Sequence, residues 1–329
     1  MMKKLRFGII GTGGISHWHA SQLLELADEA ELAALADPSA DSRERFINKF
    51  GLDGIAVHDD HRTMLDTDRL DAVVVCSPHT LHFQHVTDSL QAGCHVLVEK
   101  PMTCSSAEAE RLLDTASETG KLLQVSYQRH CQPDFQYIRQ AIQDGVIGPL
   151  TSVTAALYQD WKQLTEGTWR VQPELSGGGM LMDSGSHVVD ALLWTTGLTP
   201  VEVKPLLHRH GSPVEIDSFT AIRFAEGPIA SLSIVGFAQG WQESYMFCGE
   251  HGAIRFDNGR VTVRRHRQEP FVPELPARAT NQDKSFIDAI RGRHEVLVPG
   301  DYALKVVRLT EMIYNAAGYE PLAPAEPDA

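Results

Sequence analysis

A chain of 329 residues exceeds one ordinary core and predicts two domains of usual size. Its 43 acidic against 29 basic residues give a formal net charge of −14, which opposes binding to phosphate backbones or anionic lipid, so neither nucleic acid nor membrane is an expected partner. No apolar stretch is long enough to span a bilayer, and the basic start Met1-Met2-Lys3-Lys4-Leu5-Arg6 runs into a segment broken by Gly8 and Gly11 rather than into a signal sequence, so a cytoplasmic protein is expected.

From residue 5 to 125, apolar runs of β type at 5–10, 31–36, 72–76, 95–98 and 122–125 alternate with amphipathic stretches, the pattern of a doubly wound parallel sheet. Ser105 as N-cap, Glu108 three residues on and Gly120 as stop predict a helix over 105–119. After 125 the rhythm changes. A helix over 133–144 closed by Gly145 is followed by β-type segments at 151–158, 219–224, 229–235, 245–248 and 260–263, with turn signals such as Asp257-Asn258-Gly259 between them. A long loop over 269–276, a helix over 301–315 and a frayed Pro- and Ala-rich tail over 320–329 complete the expectation. The fold class is thus α/β, with a doubly wound parallel sheet over 1–125 and, over 126–329, an α+β domain carrying a large, mostly antiparallel sheet. The five cysteines form no C-x-x-C pair, which predicts neither a disulfide framework nor a thiolate zinc site.

Gly11-Thr12-Gly13-Gly14-Ile15-Ser16 follows the first strand and opens an amphipathic segment. Missing side chains let the backbone turn at Gly11 and approach a pyrophosphate at Gly13, Gly14 and Ile15, where a helix N-terminus offers amide donors. Ser16 stands where the dinucleotide fingerprint has its third glycine. The second strand ends at Asp37, a carboxylate placed for a ribose diol, which favours NAD and leaves NADP possible because Arg43 is near in sequence. The first domain therefore reads as a Rossmann domain.

Ligands of open parallel sheets bind beyond the carboxyl ends of the strands. Cys76-Ser77-Pro78-His79 leaves one strand and Glu99-Lys100-Pro101 the next, so Lys100 is expected in the nicotinamide crevice. A flexible glycine run, Gly177-Gly178-Gly179, enters an apparent helix on which Asp183 and His187, four apart, share a face. His79, His82 and His85 recur at intervals of three, but no carboxylate pattern accompanies them and no metal is expected.

The ordered set, Gly-x-Gly, Ser77-Pro78 with His82, Glu99-Lys100-Pro101 and Asp183-x-Gly185-x-His187, resembles the glucose-fructose oxidoreductase / inositol dehydrogenase / MocA-type family over about residues 5–315. The family's frequent Asn after that Pro is His79 here. The resemblance implies cofactor contacts from Ser77, Pro78, His79, His82, Glu99 and Lys100. It also implies His187 as acid/base on a substrate hydroxyl, Lys100 polarising the same oxygen, Asp183 positioning substrate and His187, and pairing through the open sheet as a homodimer or homotetramer. These roles agree with the chemistry: imidazole titrates near neutrality and a cationic amine stabilises an alkoxide. Arg129, where the chain passes between domains, and Trp169 with Arg170 are candidate substrate contacts, and Tyr158, Asp160 and Trp161 could form an aromatic, hydrogen-bonding wall. The expected function is hydride transfer between a nicotinamide cofactor and a hydroxyl or carbonyl of a sugar, cyclic polyol or related compound. Two alternatives stand beside it: a redox-neutral glycosidase or lyase that keeps its NAD bound, and a non-catalytic NAD-binding sensor, to which Lys100, Asp183 and His187 would be superfluous.

Overall fold

The computed structural model describes residues 3–320. In the first unit β1 (Leu5–Ile10), α1 (Ser16–Glu25), β2 (Ala30–Ala36), α2 (Ala40–Phe50), β3 (Ala56–His58), α3 (His61–Thr67), β4 (Ala72–Val75), α4 (His82–Gln91), β5 (His95–Val98), α5 (Ser106–Thr119) and β6 (Leu123–Val125) alternate along the chain. The strands pair in parallel in the order β3-β2-β1-β4-β5-β6, so the direction of winding reverses between β1 and β4. All four residues of β4 are buried, which explains its unbroken apolar run. The α5 cap forms as its sequence predicts: Ser105 Oγ accepts from the Glu108 amide and Gly120 closes the helix with φ +64°. The three-residue strand β3 carries too short a pattern to be read from sequence.

The chain then builds a second unit from α6 (Pro133–Gln143), β7 (Leu150–Tyr158), α7 (Trp161–Thr165), α8 (Pro173–Ser176), α9 (Gly185–Thr196), β8 (Pro200–His208), β9 (Asp217–Phe224), β10 (Ile229–Val235), β11 (Gln242–Gly249), β12 (Gly252–Asp257) and β13 (Arg260–Arg265). Its seven strands run in the order β13-β12-β11-β7-β10-β9-β8, with β7 and β10 parallel and the other pairs antiparallel. Alternate residues of β9 and β10 are buried, and the opposite face leaves Leu206, Phe219 and Ile229 exposed.

The chain crosses between units more often than a single boundary at 125/126 provides for. Among the described residues, the first unit comprises 3–128 and Thr280–Leu304, the second Arg129–Ala279 and 305–320. The returning segment carries α10 (Gln282–Ile290) and the start of α11 (Gly300–Ala316). Phe286 and Ile287 of α10 belong to the core formed by Phe7, Ile9, Leu35 and Val74, and Phe286 meets Phe7 edge-on at 6.3 Å. The Gln124 side-chain amide donates to the Gln282 carbonyl at 2.9 Å. The α10 segment signals none of this in its own composition, because its partners lie more than 150 residues away. Of the expected tail, only residue 320 falls within the described residues. Among those residues, no helix is long and apolar enough to cross a membrane.

Candidate active site

At the carboxyl end of the first sheet, Gly11 takes φ +89°, and a Cβ there would lie 2.8 Å from the Cys76 carbonyl group, so only glycine lets the loop after β1 cross the end of β4. A Cβ on Gly13 or Gly14 would meet nothing within 4 Å, so these two residues border open space. The helix that follows starts at Ser16 without a side-chain cap, while Ser16 Oγ donates back to the Gly13 carbonyl at 2.6 Å. An uncapped helix start facing an open glycine turn fits a pyrophosphate. Asp37, just beyond β2, accepts from the Thr12 amide at 2.8 Å through Oδ2 and from the Ser39 amide at 2.8 Å through Oδ1. The carboxylate is thereby fixed against the glycine turn, as a ribose-binding acid requires. The Arg43 guanidinium turns to the Asp37 backbone carbonyl and leaves the carboxylate's charge in place.

The next strand ends show a division of labour. Ser77 Oγ lies 2.8 Å from His85 Nδ1, and the fully buried His82 has its ring nitrogens 2.7 and 2.9 Å from the Pro101 and Ser77 carbonyl oxygens. His82 thus ties the turns after β4 and β5 together and has no exposed surface of its own. Glu99 likewise points inward, to His19 Nε2 at 3.0 Å, while its Oε2 accepts from the Lys100 amide at 3.2 Å. Burial works against ionising Glu99, but the hydrogen bond and charge of His19 hold its carboxyl below the usual value. His79 is buried and Pro78 half-buried, and Lys100, half-buried, follows the last residue of this edge.

In the second unit Asp183 does not ride on the helix with His187. The helix begins at Gly185, and Asp183 leaves the preceding turn, its amide bonded to the Gly179 carbonyl at 3.0 Å. Asp183 is 5% exposed, and its carboxylate accepts from Trp161 Nε1 at 2.8 Å and Arg170 Nε at 2.9 Å. Trp169 stacks its ring 4.6 Å from the Arg170 guanidinium. His187 is half-buried on the first turn of α9. The structure therefore gathers Trp161, Trp169, Arg170 and Asp183 into one cluster beside the start of the helix that bears His187.

The glycine run is packed, not flexible. Glu215 accepts the Gly179 amide at 2.6 Å through Oε2, and the Leu181 amide at 3.0 Å and the Tyr314 hydroxyl at 2.8 Å through Oε1. A Cβ on Gly179 would sit 1.8 Å from the Glu215 carbonyl oxygen. Glu215 is a support of this turn that the sequence conceals, since it lies on a connector 36 residues from the turn it holds. Arg129 also departs from expectation: it is buried, with Nε 3.0 Å from Glu243 Oε1 and Nη2 on the same oxygen, which Tyr245 also contacts. Its guanidinium serves an internal ion pair with Glu243.

A six-stranded parallel sheet with an open glycine turn, followed by a seven-stranded, mostly antiparallel sheet, is the architecture of a two-domain, nicotinamide-dependent oxidoreductase. Residues 5–127 match the model described as "Oxidoreductase family, NAD-binding Rossmann fold", and residues 135–255 match the GFO/IDH/MocA C-terminal domain. The chain belongs to the GFO/IDH/MocA family of NAD(P)-dependent oxidoreductases, enzymes acting on CH–OH groups of sugars and polyols. It is 32% identical to the D-glucoside 3-dehydrogenase of Escherichia coli (strain K12), over 95% of each chain. It is 28% identical to the dTDP-3,4-didehydro-2,6-dideoxy-alpha-D-glucose 3-reductase of Streptomyces antibioticus, over 88% of this chain and 89% of that one. The crystal structure of the WlbA dehydrogenase from Bordetella pertussis, in complex with NADH and UDP-GlcNAcA, superposes with a TM-score of 0.85 at 25% identity, over 99% of this chain and 100% of that one.

Proposed function

We propose that the enzyme oxidises a secondary hydroxyl of a sugar or cyclic polyol, or reduces the corresponding carbonyl, with His187 exchanging the hydroxyl proton, Lys100 stabilising charge on the same oxygen and Asp183 orienting His187 and substrate. The bound nicotinamide would supply or accept the hydride, held through Gly11, Gly13, Gly14, Ile15, Asp37, Ser77 and Pro78. As hydride leaves carbon, the hydroxyl proton must go to a base, and imidazole suits that exchange near neutral pH. A lysine cation beside the oxygen favours its alkoxide character. The observation that carries this reading is the Asp183 carboxylate, buried and held by two donors immediately before the His187 helix. Trp169 and Arg170 stand next to it as the substrate-side wall. Asp37, with no guanidinium on its carboxylate, favours NAD over NADP. The exposed sheet face bearing Leu206 and Phe219 supports a homodimer or homotetramer.

The test is a panel of sugars, glycosides and polyols assayed with NAD and NADP at the reduced-nicotinamide absorbance. Accumulating reduced NAD with one substrate class supports net oxidation, whereas product formed without it assigns a redox-neutral cycle. Lys100→Ala and His187→Ala should each lower single-turnover hydride transfer by about two to four powers of ten while NAD still binds. Near-normal rates in either variant would overturn the assignment.

A further inference from the structure

The first unit buries a three-member charge cluster with no place yet in the chemistry. His19 on α1 is completely buried, with Nε2 3.0 Å from Glu99 Oε1 and Nδ1 2.8 Å from Asp283 Oδ1. Ionised carboxylates only accept hydrogen bonds, so a ring bonded to two of them must carry a proton on each nitrogen. Burial alone would discharge the ring, but the charges and hydrogen bonds of Asp283 and Glu99 outweigh it and raise its pKa to about 10. Asp283 sits in the first turn of α10, whose N-cap Asn281 accepts from the Lys284 amide at 2.8 Å and donates to Gln22 of α1. The anchor is therefore fixed independently of the residue it holds.

We propose that His19, locked as a cation by Asp283, is a positioning residue for Lys100. It pins one oxygen of Glu99, whose other oxygen takes the Lys100 amide, and this sets the direction in which the turn after β5 launches the Lys100 side chain. The inference rests on Lys100 acting at the substrate oxygen, as proposed above. Stability alone gives little reason for such a cluster: burying two anions and one cation is a weak stabiliser beside apolar packing of the same volume. What it provides is a single rotamer for Glu99 and a single path for the backbone between Glu99 and Lys100. A displacement of about 1 Å at a reacting group can cost about a hundredfold in rate.

Asp283→Asn keeps the shape and an acceptor but removes the charge that locks His19, and His19→Gln removes the cation. With whichever substrate the panel identifies, each variant should lose about ten- to a hundredfold in kcat, with substrate KM and NAD affinity changed by less than about threefold. The deciding measurement is the double variant. In a Lys100→Ala background, Asp283→Asn should add no further kinetic loss, because the residue it positions is gone. Additive losses, or single variants with normal kcat and lowered melting temperature, would overturn the proposal. If His19→Gln does not fold, the Asp283→Asn cycle still decides. Nitrogen-15 spectra of histidine-labelled, cofactor-free enzyme at pH 8 give a readout apart from activity: both ring nitrogens of His19 should carry protons, and a neutral tautomer would defeat the idea. Normal hydride transfer in Lys100→Ala would instead remove the functional reading while leaving the imidazolium result to stand alone.

Discussion

Trp161→Phe isolates what holds Asp183 in place. The indole Nε1–H donates to the carboxylate at 2.8 Å, and Trp161 is 1% exposed. A hydrogen bond to a charged group contributes about 2 kcal/mol, and the phenyl ring removes that donor while leaving the Arg170 contact on Oδ2. If that bond fixes the carboxylate for catalysis, its loss should lower kcat by about thirtyfold, which is about 2 kcal/mol of barrier. If it serves only the fold, the same energy should appear as a fall of about 4–8 °C in melting temperature with kcat intact. The smaller ring also leaves a packing defect, but that term enters the melting temperature and not the turnover of folded enzyme. Steady-state kinetics and a thermal scan on one preparation separate the two. Wild-type kcat with a lowered melting temperature would refute the argument that the Trp161–Asp183 bond supports catalysis.

Asp37→Ser should raise the KM for NAD about tenfold and move the NADP-to-NAD ratio of kcat/KM upward, because the ribose acceptor and its repulsion of a 2′-phosphate go together; an unchanged ratio would remove Asp37 from the ribose site. Gly179→Ala forces a methyl to 1.8 Å from the Glu215 carbonyl oxygen and should yield insoluble protein or a melting temperature lowered by more than about 10 °C, which soluble, normally melting protein would contradict. The pH dependence of stability follows from His19, whose pKa rises from 6.5 to about 10 on folding. The folded state binds the extra proton, so this stabilisation is fully present below about pH 6.5 and is lost as pH rises through about 10. Denaturant titrations between pH 7 and 10.5 should show wild type losing more stability than Asp283→Asn, and parallel curves would place the ionisation elsewhere.

The residues that were legible in the sequence are those whose partners are near or whose backbone demands are local. The glycine turn before α1, the acid ending β2, the Ser105 cap and the Gly120 stop each follow from a few neighbouring residues. Asp183 and His187 carried a recognisable spacing, but the helix starts two residues later than that spacing suggests, since Met180 through Ser184 form a turn clasped by Glu215. His82, Glu99 and Arg129 have the chemistry of site residues, and only three-dimensional burial shows them facing inward to backbone carbonyls, His19 and Glu243 respectively. Glu215, His19 and Asp283 escaped notice because each matters through a contact dozens to hundreds of residues away, with no periodicity to mark it. β8 and β12 were likewise hidden, the first opening on Pro200 and carrying a second proline, Pro205, within a strand at the sheet edge.

The return of residues 280–304 to the nucleotide-binding half has a consequence for biogenesis and engineering alike. A ribosome adds more than 270 residues after Phe7 before it makes Phe286, which plugs the apolar interior around Phe7, so the amino-terminal half emerges with its core ajar and depends on chaperoning or patience until α10 has been made. A graft that lifts only the first 128 residues to a new host protein inherits the glycine turn but not the carboxylate that locks His19; a portable version must carry both pieces, joined by a linker short enough to keep α10 on its seat.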